Sequence, residues 1–237
     1  LITIDQEEME GFPYKIILAS SSPRRRDLIN LLEIPVQFVI PKYKEESPVK
    51  DESPGLYAVR MAESKVLSSS QDQANGTIII GSDTVVSIGN IVLGKPRNAN
   101  QAEHMLRLLR NKEHAIHTAL SVLWKGEHEL ASTHILSKVT MRDYSDEEIA
   151  QYIASGDPFD KAGSYAVQNA QFDPVRHLDG CYTSAIGLSL CYLIEMLENI
   201  GVELTDFQYE KHAALFSKCT DCVFLNSMCV SKSSGPI

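Results

Sequence analysis

The 237-residue chain lacks any apolar stretch of the roughly 20 residues that a membrane-spanning helix needs. Its first residues, Leu1 to Glu8, are acidic and lack the basic flank of a signal peptide. No initiator Met stands at position 1, which implies residues missing or trimmed there. Basic charge is also scarce: 22 Lys and Arg stand against 31 Asp and Glu, a formal net charge of −9. That balance, with no interleaved aromatic–basic surface pattern, argues against broad binding to DNA or RNA. It leaves room for a small anion in a local basic pocket. Five cysteines are an odd number for a disulfide framework, and Cys181 and Cys191 sit in apolar runs expected to be buried. A reducing cytoplasm is the expected compartment. No internal repeat and no obvious linker interrupts the chain.

What is present suits a globular enzyme. Apolar content of 43% and charged content of 22% are ordinary, and the length suits one large domain or two closely packed lobes. Residues 15–19 read as a buried strand, followed by a helix from Arg24 to Leu32 with Ser22 as N-cap and Pro23 in first position. A strand at 36–40, a charged loop at 42–54 and a helix at 56–68 come next. Strands at 77–81 and 84–88 flank Ser82-Asp83, and Gly89-Asn90 turns the chain into 91–93. A helix at 100–109, with Asn100 and Glu103 as its capping pair, precedes strands at 117–124 and 129–142. Ser145 to Glu148 is a capping box for a helix ending near Gly156. A loop at 157–163, a short strand at 165–167 and a long helix at 187–200 follow. Strands and helices alternate, with hairpins mixed in, so the expected fold class is α/β with a mixed twisted sheet and flanking helices.

Four features carry chemical information. At the first strand–helix junction, Arg24, Arg25 and Arg26 crowd a helix start, where the dipole favours acids. A phosphate in front of Ser20-Ser21-Ser22-Pro23-Arg24-Arg25 would explain them, since N–H groups, hydroxyls and guanidinium forks all match its oxygens. The plainer alternative pairs these arginines with Asp27 or other surface acids. Asp83 interrupts an apolar passage and needs a partner, water or a metal ion. It suits a metal ligand or a general base, and equally a turn residue capping the next amides. Lys65 and Lys95 gain meaning only if they converge with Arg24 and Asp83. Asp160-Lys161-Ala162-Gly163 reads as an active-site loop or as a polar loop with an ion pair.

Taken in order, Ser20-x-Ser22-Pro23-Arg24-Arg25, Lys65, Gly81-Ser82-Asp83-Thr84, Gly94-Lys95-Pro96 and Asp160-Lys161-Ala162-Gly163-x-Tyr165-x-x-Gln168 resemble the Maf family of nucleoside triphosphate pyrophosphatases. The likeness divides the chain into an acidic leader (1–14), a Maf-like domain (15–204) and a Cys-containing extension (205–237). It implies two lobes around a nucleotide cleft, as in inosine triphosphatase-like folds, often in a homodimer. It implies hydrolysis of a nucleoside triphosphate to its monophosphate and pyrophosphate with a divalent cation, Mg²⁺ or Mn²⁺. Asp83 is then the proton acceptor for water, and Glu45 and Asp83 hold the metal. Ser20, Arg24, Arg25, Lys65, Lys95, Asp160 and Lys161 bind substrate. Arg24, Thr84 and Gln168 resemble the branch acting on dTTP and UTP; the 7-methyl-GTP branch has Trp and Gln in place of Arg24 and Thr84. The chain departs from the family's glycine-rich pattern at Asn169 to Pro174.

In the extension, His212, Cys219, Cys222 and Cys229 have spacings compatible with a Cys₃His zinc site, or with thiols packed beside Leu215, Phe216, Val223 and Phe224. The rival to the enzyme reading is a nucleotide-binding regulator of cell division with little turnover. Asp83 together with Lys65 and Lys95 favours the enzyme, because a pure binder needs no water-activating carboxylate.

Overall fold

Lys15–Ala19 forms β1, a run whose last four residues are all buried, and it sits inside the sheet rather than at its rim. A computed structural model describes residues 12–44, 46–204 and 209–219 of the chain. Among them, seven strands make one mixed sheet. β1 pairs in parallel with β2 (Val36–Val39) on one side and β3 (Thr77–Ile88) on the other. Antiparallel ladders then add β5 (Glu113–Trp124), β6 (Ala131–Met141) and β7 (Val175–Asp179). The short β4 (Ile91–Leu93) folds back on the far end of β3 through the Gly89-Asn90 turn.

β3 organises the molecule. Ile78, Ile80 and Val86 point into the larger core, with Leu28, Ile29 and Leu32 of the first helical segment. The alternate residues Ile79 and Val85 face the second helix. This period of two buries both faces of the strand. The sequence suggests two strands interrupted at Ser82-Asp83, but β3 runs unbroken through them. Its pairing with β5 continues without a break from Ile78↔Trp124 to Ser87↔Ala115. The fully buried Ser82 is tolerated because its hydroxyl donates to the Gly187 carbonyl at 2.8 Å.

Helices cover both faces. α1 (Pro23–Asn30) follows β1 directly, and α2 (Pro54–Ser70) begins at Ser53, whose hydroxyl accepts the Leu56 amide. α3 (Ala99–Leu109) is capped by Asn98 rather than by Asn100: the Asn98 side chain accepts from the Gln101 amide. α4 (Asp146–Ala154) has the expected capping box, with Ser145 and Glu148 bonded in both directions. The expected strand at 165–167 does not form. Gly163 and Ser164 both take positive φ and turn the chain away from the ladder. The strand in that region is β7, whose sequence shows little alternation because only Leu178 in it is buried. The expected last helix at 187–200 starts later, as α6 (Leu190–Asn199), and a separate short helix, α5 (Tyr182–Ile186), precedes it across Gly187, at φ 138°. A final short helix, α7 (Ala213–Phe216), buries Phe216.

α2 lies unusually close to β3. A Cβ placed on Gly81 would stand 2.7 Å from the Ala62 carbonyl oxygen and 2.7 Å from Val66 Cγ2. Only a residue without a side chain permits this approach, and it brings Lys65 of the same helix onto the strand. We expect Gly81→Ala to lower stability by about 1–3 kcal/mol, the usual effect of overpacking. Urea unfolding checks this, and an unchanged midpoint would show that the helix is free to back away.

Candidate active site

β1 and β4 pair with the same edge of β3 but do not meet. β1 stops at the Leu18↔Ile80 pair, and β4 begins at Leu93↔Val86. Residues 81–85 therefore have no strand neighbour on that edge, and a cavity of about 570 Å³ opens beside them. Its walls come from the β1–α1 junction, α2, β3, the end of β4 and the segment after α4.

Asp83 and Thr84 are consecutive on β3 and point to opposite faces. Asp83 faces α2, where Lys65 Nζ donates to its Oδ1 at 2.5 Å and to the Ser82 carbonyl at 2.9 Å. Both ions are largely shielded, with side-chain exposures of 8% for Lys65 and 19% for Asp83. At that burial a lone charge would be strongly destabilising, so each needs the other. Among the described residues, the second carboxylate oxygen of Asp83 accepts no hydrogen bond from the protein. Tyr43 also lines this wall, with Lys65 Nζ 5.7 Å from its ring centroid. Its aromatic face supplements the ion pair. No motif signalled Tyr43, which stands in the charged loop at 42–54.

Thr84 faces α1 and α5. Arg25 Nη2 donates to its hydroxyl at 3.1 Å, and that hydroxyl lies 3.3 Å from Thr118 Oγ1. Thr118 in turn donates to the Ser184 carbonyl at 2.7 Å. Thr118 has then used its proton, so Thr84 is the donor in the pair and the chain of bonds has one direction. Arg25 Nε also donates to the Gly187 carbonyl at 2.8 Å, the same oxygen that holds Ser82. Burial pulls the Arg25 pKa below its usual value, and the nearby Asp83 opposes the change. Arginine stays charged in any case. Gly187 is not among the site residues that the sequence singles out, and only its acceptor role in space reveals it.

The three arginines of α1 divide their work. Arg26 turns back to the Ser20 carbonyl, at 3.3 and 3.1 Å, and stacks over Phe38. Arg24 pairs across the cavity with Asp160 at 2.9 Å. None is paired with Asp27 among the described ion pairs. Ser22 occupies the N-cap position but makes no side-chain cap bond; instead its amide donates to Ser20 Oγ at 3.1 Å. Ser20 is buried at the cavity floor.

Lys95 is exposed at the rim, just past β4, and Gln168 lies on the wall after α4. Lys161 is buried and donates to Asp160 Oδ1 at 2.7 Å, to Asp157 Oδ1 at 2.8 Å and to the Asp157 carbonyl at 2.6 Å. Ten residues singled out from the sequence thus line one cavity: Ser20, Arg24, Arg25, Lys65, Asp83, Thr84, Lys95, Asp160, Lys161 and Gln168. Glu45 lies outside the described residues, as do Cys222 and Cys229. Among the described residues no group of three His, Cys, Asp or Glu could hold a metal ion. Cys219 packs against the body of the protein, where its sulfur accepts the Tyr182 amide at 3.2 Å. Cys181 and Cys191 are buried, as their apolar surroundings suggest.

Comparison with known proteins gives a consistent result. A family model described as Maf-like protein matches residues 15–200. A dTTP/UTP pyrophosphatase of Dictyoglomus thermophilum is 40% identical over 190 residues, covering 80% of this chain and 98% of that protein. One from Nitratidesulfovibrio vulgaris is 37% identical, covering 79% and 89%. One from Lachnoclostridium phytofermentans is 35% identical, covering 81% and 98%. Among solved structures, a HAM1 protein from Coxiella burnetii superposes with a TM-score of 0.38 at 13% identity, covering 55% of this chain and 74% of that one.

The wall behind the cavity is sensitive to acid. His114 on β5 is buried and its Nε2 lies 2.5 Å from the hydroxyl of the cavity residue Tyr165. Burial lowers the His114 pKa from 6.5 to about 4. The unfolded chain takes up this proton near pH 6.5, whereas the folded chain resists it until about pH 4. Stability is therefore full above pH 6.5 and declines as the pH falls toward 4. The decline from this group is on the order of 3 kcal/mol. Urea unfolding from pH 8 to pH 4 should show it, with a shallower decline in His114→Gln; equal slopes would overturn the assignment.

Proposed function

The chain belongs to the Maf-like protein family, and we propose that it hydrolyses dTTP and UTP, and modified pyrimidine nucleotides of the same shape, to the monophosphate and pyrophosphate. The observation that carries this reading is the Lys65–Asp83 ion pair at the open edge of β3, facing the arginines of α1 across one cavity. Cleaving the bond between the α- and β-phosphates needs a positioned water, a base for its proton, and positive charge around the leaving pyrophosphate. In this reading Asp83 accepts the proton. Lys65 occupies one carboxylate oxygen and so aims the other at the water. Arg24, Arg25, Lys95 and the Ser20 hydroxyl hold the phosphate oxygens, with charge-assisted bonds from the guanidinium forks.

The donor set fits a divalent cation, Mg²⁺ or Mn²⁺. Asp83 supplies a hard carboxylate oxygen, and Mg²⁺ at nucleotide sites commonly takes one or two carboxylates together with phosphate oxygens. Asp83 and Glu45 would hold it, and it would supply charge neutralisation to the phosphates. In this reading Arg24, Thr84 and Gln168 take part in the choice of base. A side-chain amide such as Gln168 donates and accepts at once, as a pyrimidine edge requires. Cytoplasmic residence and a homodimer complete the proposal; at His212, Cys219, Cys222 and Cys229 a zinc ion is the alternative to apolar packing of the thiols, which the contact of Cys219 with the Tyr182 amide favours. Light scattering and metal analysis test the homodimer and the zinc ion, and a monomer mass with substoichiometric zinc would set both aside.

The decisive assay measures phosphate products from dTTP, UTP, 7-methyl-GTP and ATP with Mg²⁺ or Mn²⁺. Pyrophosphate from dTTP and UTP is expected. Asp83→Asn, which keeps an oxygen for Lys65, should lower kcat by at least about 100-fold, as loss of a general base does. A melting curve confirms that the variant is folded. Release of orthophosphate, or undiminished turnover in the variant, overturns the mechanism. Nucleotide binding without turnover would favour the regulator of cell division instead.

A further inference from the structure

Asp157 lies outside every motif that the sequence singles out, yet it ties together three pieces of the cavity's far wall. It opens a 3₁₀ turn, Asp157–Asp160, just after Gly156 leaves α4 in a left-handed conformation. Its Oδ1 and its carbonyl both accept from the Lys161 ammonium, at 2.8 and 2.6 Å. Its Oδ2 accepts from the Tyr152 hydroxyl at 2.6 Å and from Asn169 Nδ2 at 3.1 Å. Tyr152 then accepts the Ala166 amide at 3.2 Å. One carboxylate thereby joins α4, the turn that carries Asp160, and the segment 166–169 that carries Gln168.

The consequences reach Arg24. With two bonds to Asp157 and one to Asp160, Lys161 has all three of its donors engaged. That holds Asp160 in place, and Asp160 holds Arg24. Burial pushes the Asp157 carboxyl up, but its bonds to Lys161, Tyr152 and Asn169 outweigh this and leave it below the usual carboxylate range. Asp157 is thus an anion throughout the neutral range.

Next to the main cavity lies a second recess of about 410 Å³. Arg24, Lys161, Ala166 and Gln168 line both, and Asp157 and Asn169 belong to the smaller one. The recess is lined by three amide side chains, Gln168, Asn169 and Gln171, beside the charged Arg24, Lys161 and Asp157 and two alanines. It suits the neutral, hydrogen-bonding end of a ligand whose anionic end occupies the main cavity.

We infer that Asp157 is a positioning residue for nucleobase selection: by clamping Lys161 and Asn169 it sets the distance between Gln168 and Arg24 across the recess. This rests on the nucleoside triphosphate reading above. Asp157 touches neither the water nor the phosphates; it acts through the residues it holds.

The test compares the wild type with Asp157→Asn and Asp157→Glu in two measurements. Calorimetry reads binding of α,β-methylene analogues of dUTP and dGTP, and steady-state assays read kcat and KM on dTTP. In Asp157→Asn the dUTP analogue should bind about tenfold more weakly, the effect of losing a charge-assisted bond in the clamp. The dGTP analogue should change by less than about twofold, so that the preference narrows, and kcat should stay within about threefold with KM raised. Asp157→Glu should recover part of the preference. Equal weakening of both analogues, or a collapse of kcat at unchanged preference, overturns the inference. If Asp157→Asn does not fold, Tyr152→Phe and Asn169→Ala each remove one arm of the clamp. A narrowed preference in these supports the inference, and an unchanged one overturns it. The two readings fail separately: wild type that releases no pyrophosphate sinks the proposed function, whereas intact release with an unchanged preference sinks only the role of Asp157.

Discussion

A carboxylate inside a buried strand has to be given a cation, and Lys65 of α2 provides one to Asp83 of β3. Removing one partner from a buried pair of this kind typically costs about 3–5 kcal/mol, because the remaining charge is stranded. The surrounding geometry serves that contact. Gly81 lets α2 approach close enough for Lys65 to reach the strand, and β1 and β4 stop short of each other so that Asp83 stays at an open edge. A stable fold would more simply place an apolar residue at this position. Its position beside a cavity lined by arginine and lysine is what supports the proposed role for it.

The other half of the cavity is held by one carbonyl. Gly187 O accepts both Arg25 Nε and the Ser82 hydroxyl, joining α1 to β3 at the break between α5 and α6. That break needs φ 138°, where a side chain would be strained, and it delays the last helix to Leu190 where the sequence suggests a start at 187. Backbone conformation, hydrogen bonding and the aim of Arg25 are thus a single feature. Asp160 and Lys161 perform a comparable service for Arg24 from the opposite wall.

Much of this was legible before any coordinates. The run Lys15–Ala19, the Gly89-Asn90 turn and the Ser145–Glu148 capping box are local signals, and each appears in the structure where the residues place it. The strand through Ser82-Asp83 was not legible, because its continuity comes from β5, a partner some thirty to forty residues away in the chain. β7 was not legible either: only one of its residues is buried, so it carries no alternation to read. Asn98 and Asn100 are chemically equivalent caps, and only the arrival of the Gln101 amide chooses between them.

The sequence by itself determined the class of fold, the family and the identities of ten residues that meet in one cavity, because these depend on composition, local periodicity and the order of motifs. The tertiary structure alone decided which of them touch. It paired Lys65 with Asp83, turned Arg26 away to brace Ser20, and set Arg25 on Gly187. It also brought forward Tyr43, Gly187 and Asp157, which the sequence does not single out as site residues. The physical reason is distance: hydrogen bonds and ion pairs act over about 3 Å in space, and residues such as Arg25 and Gly187, 162 positions apart in the chain, come within that reach only once the sheet is built.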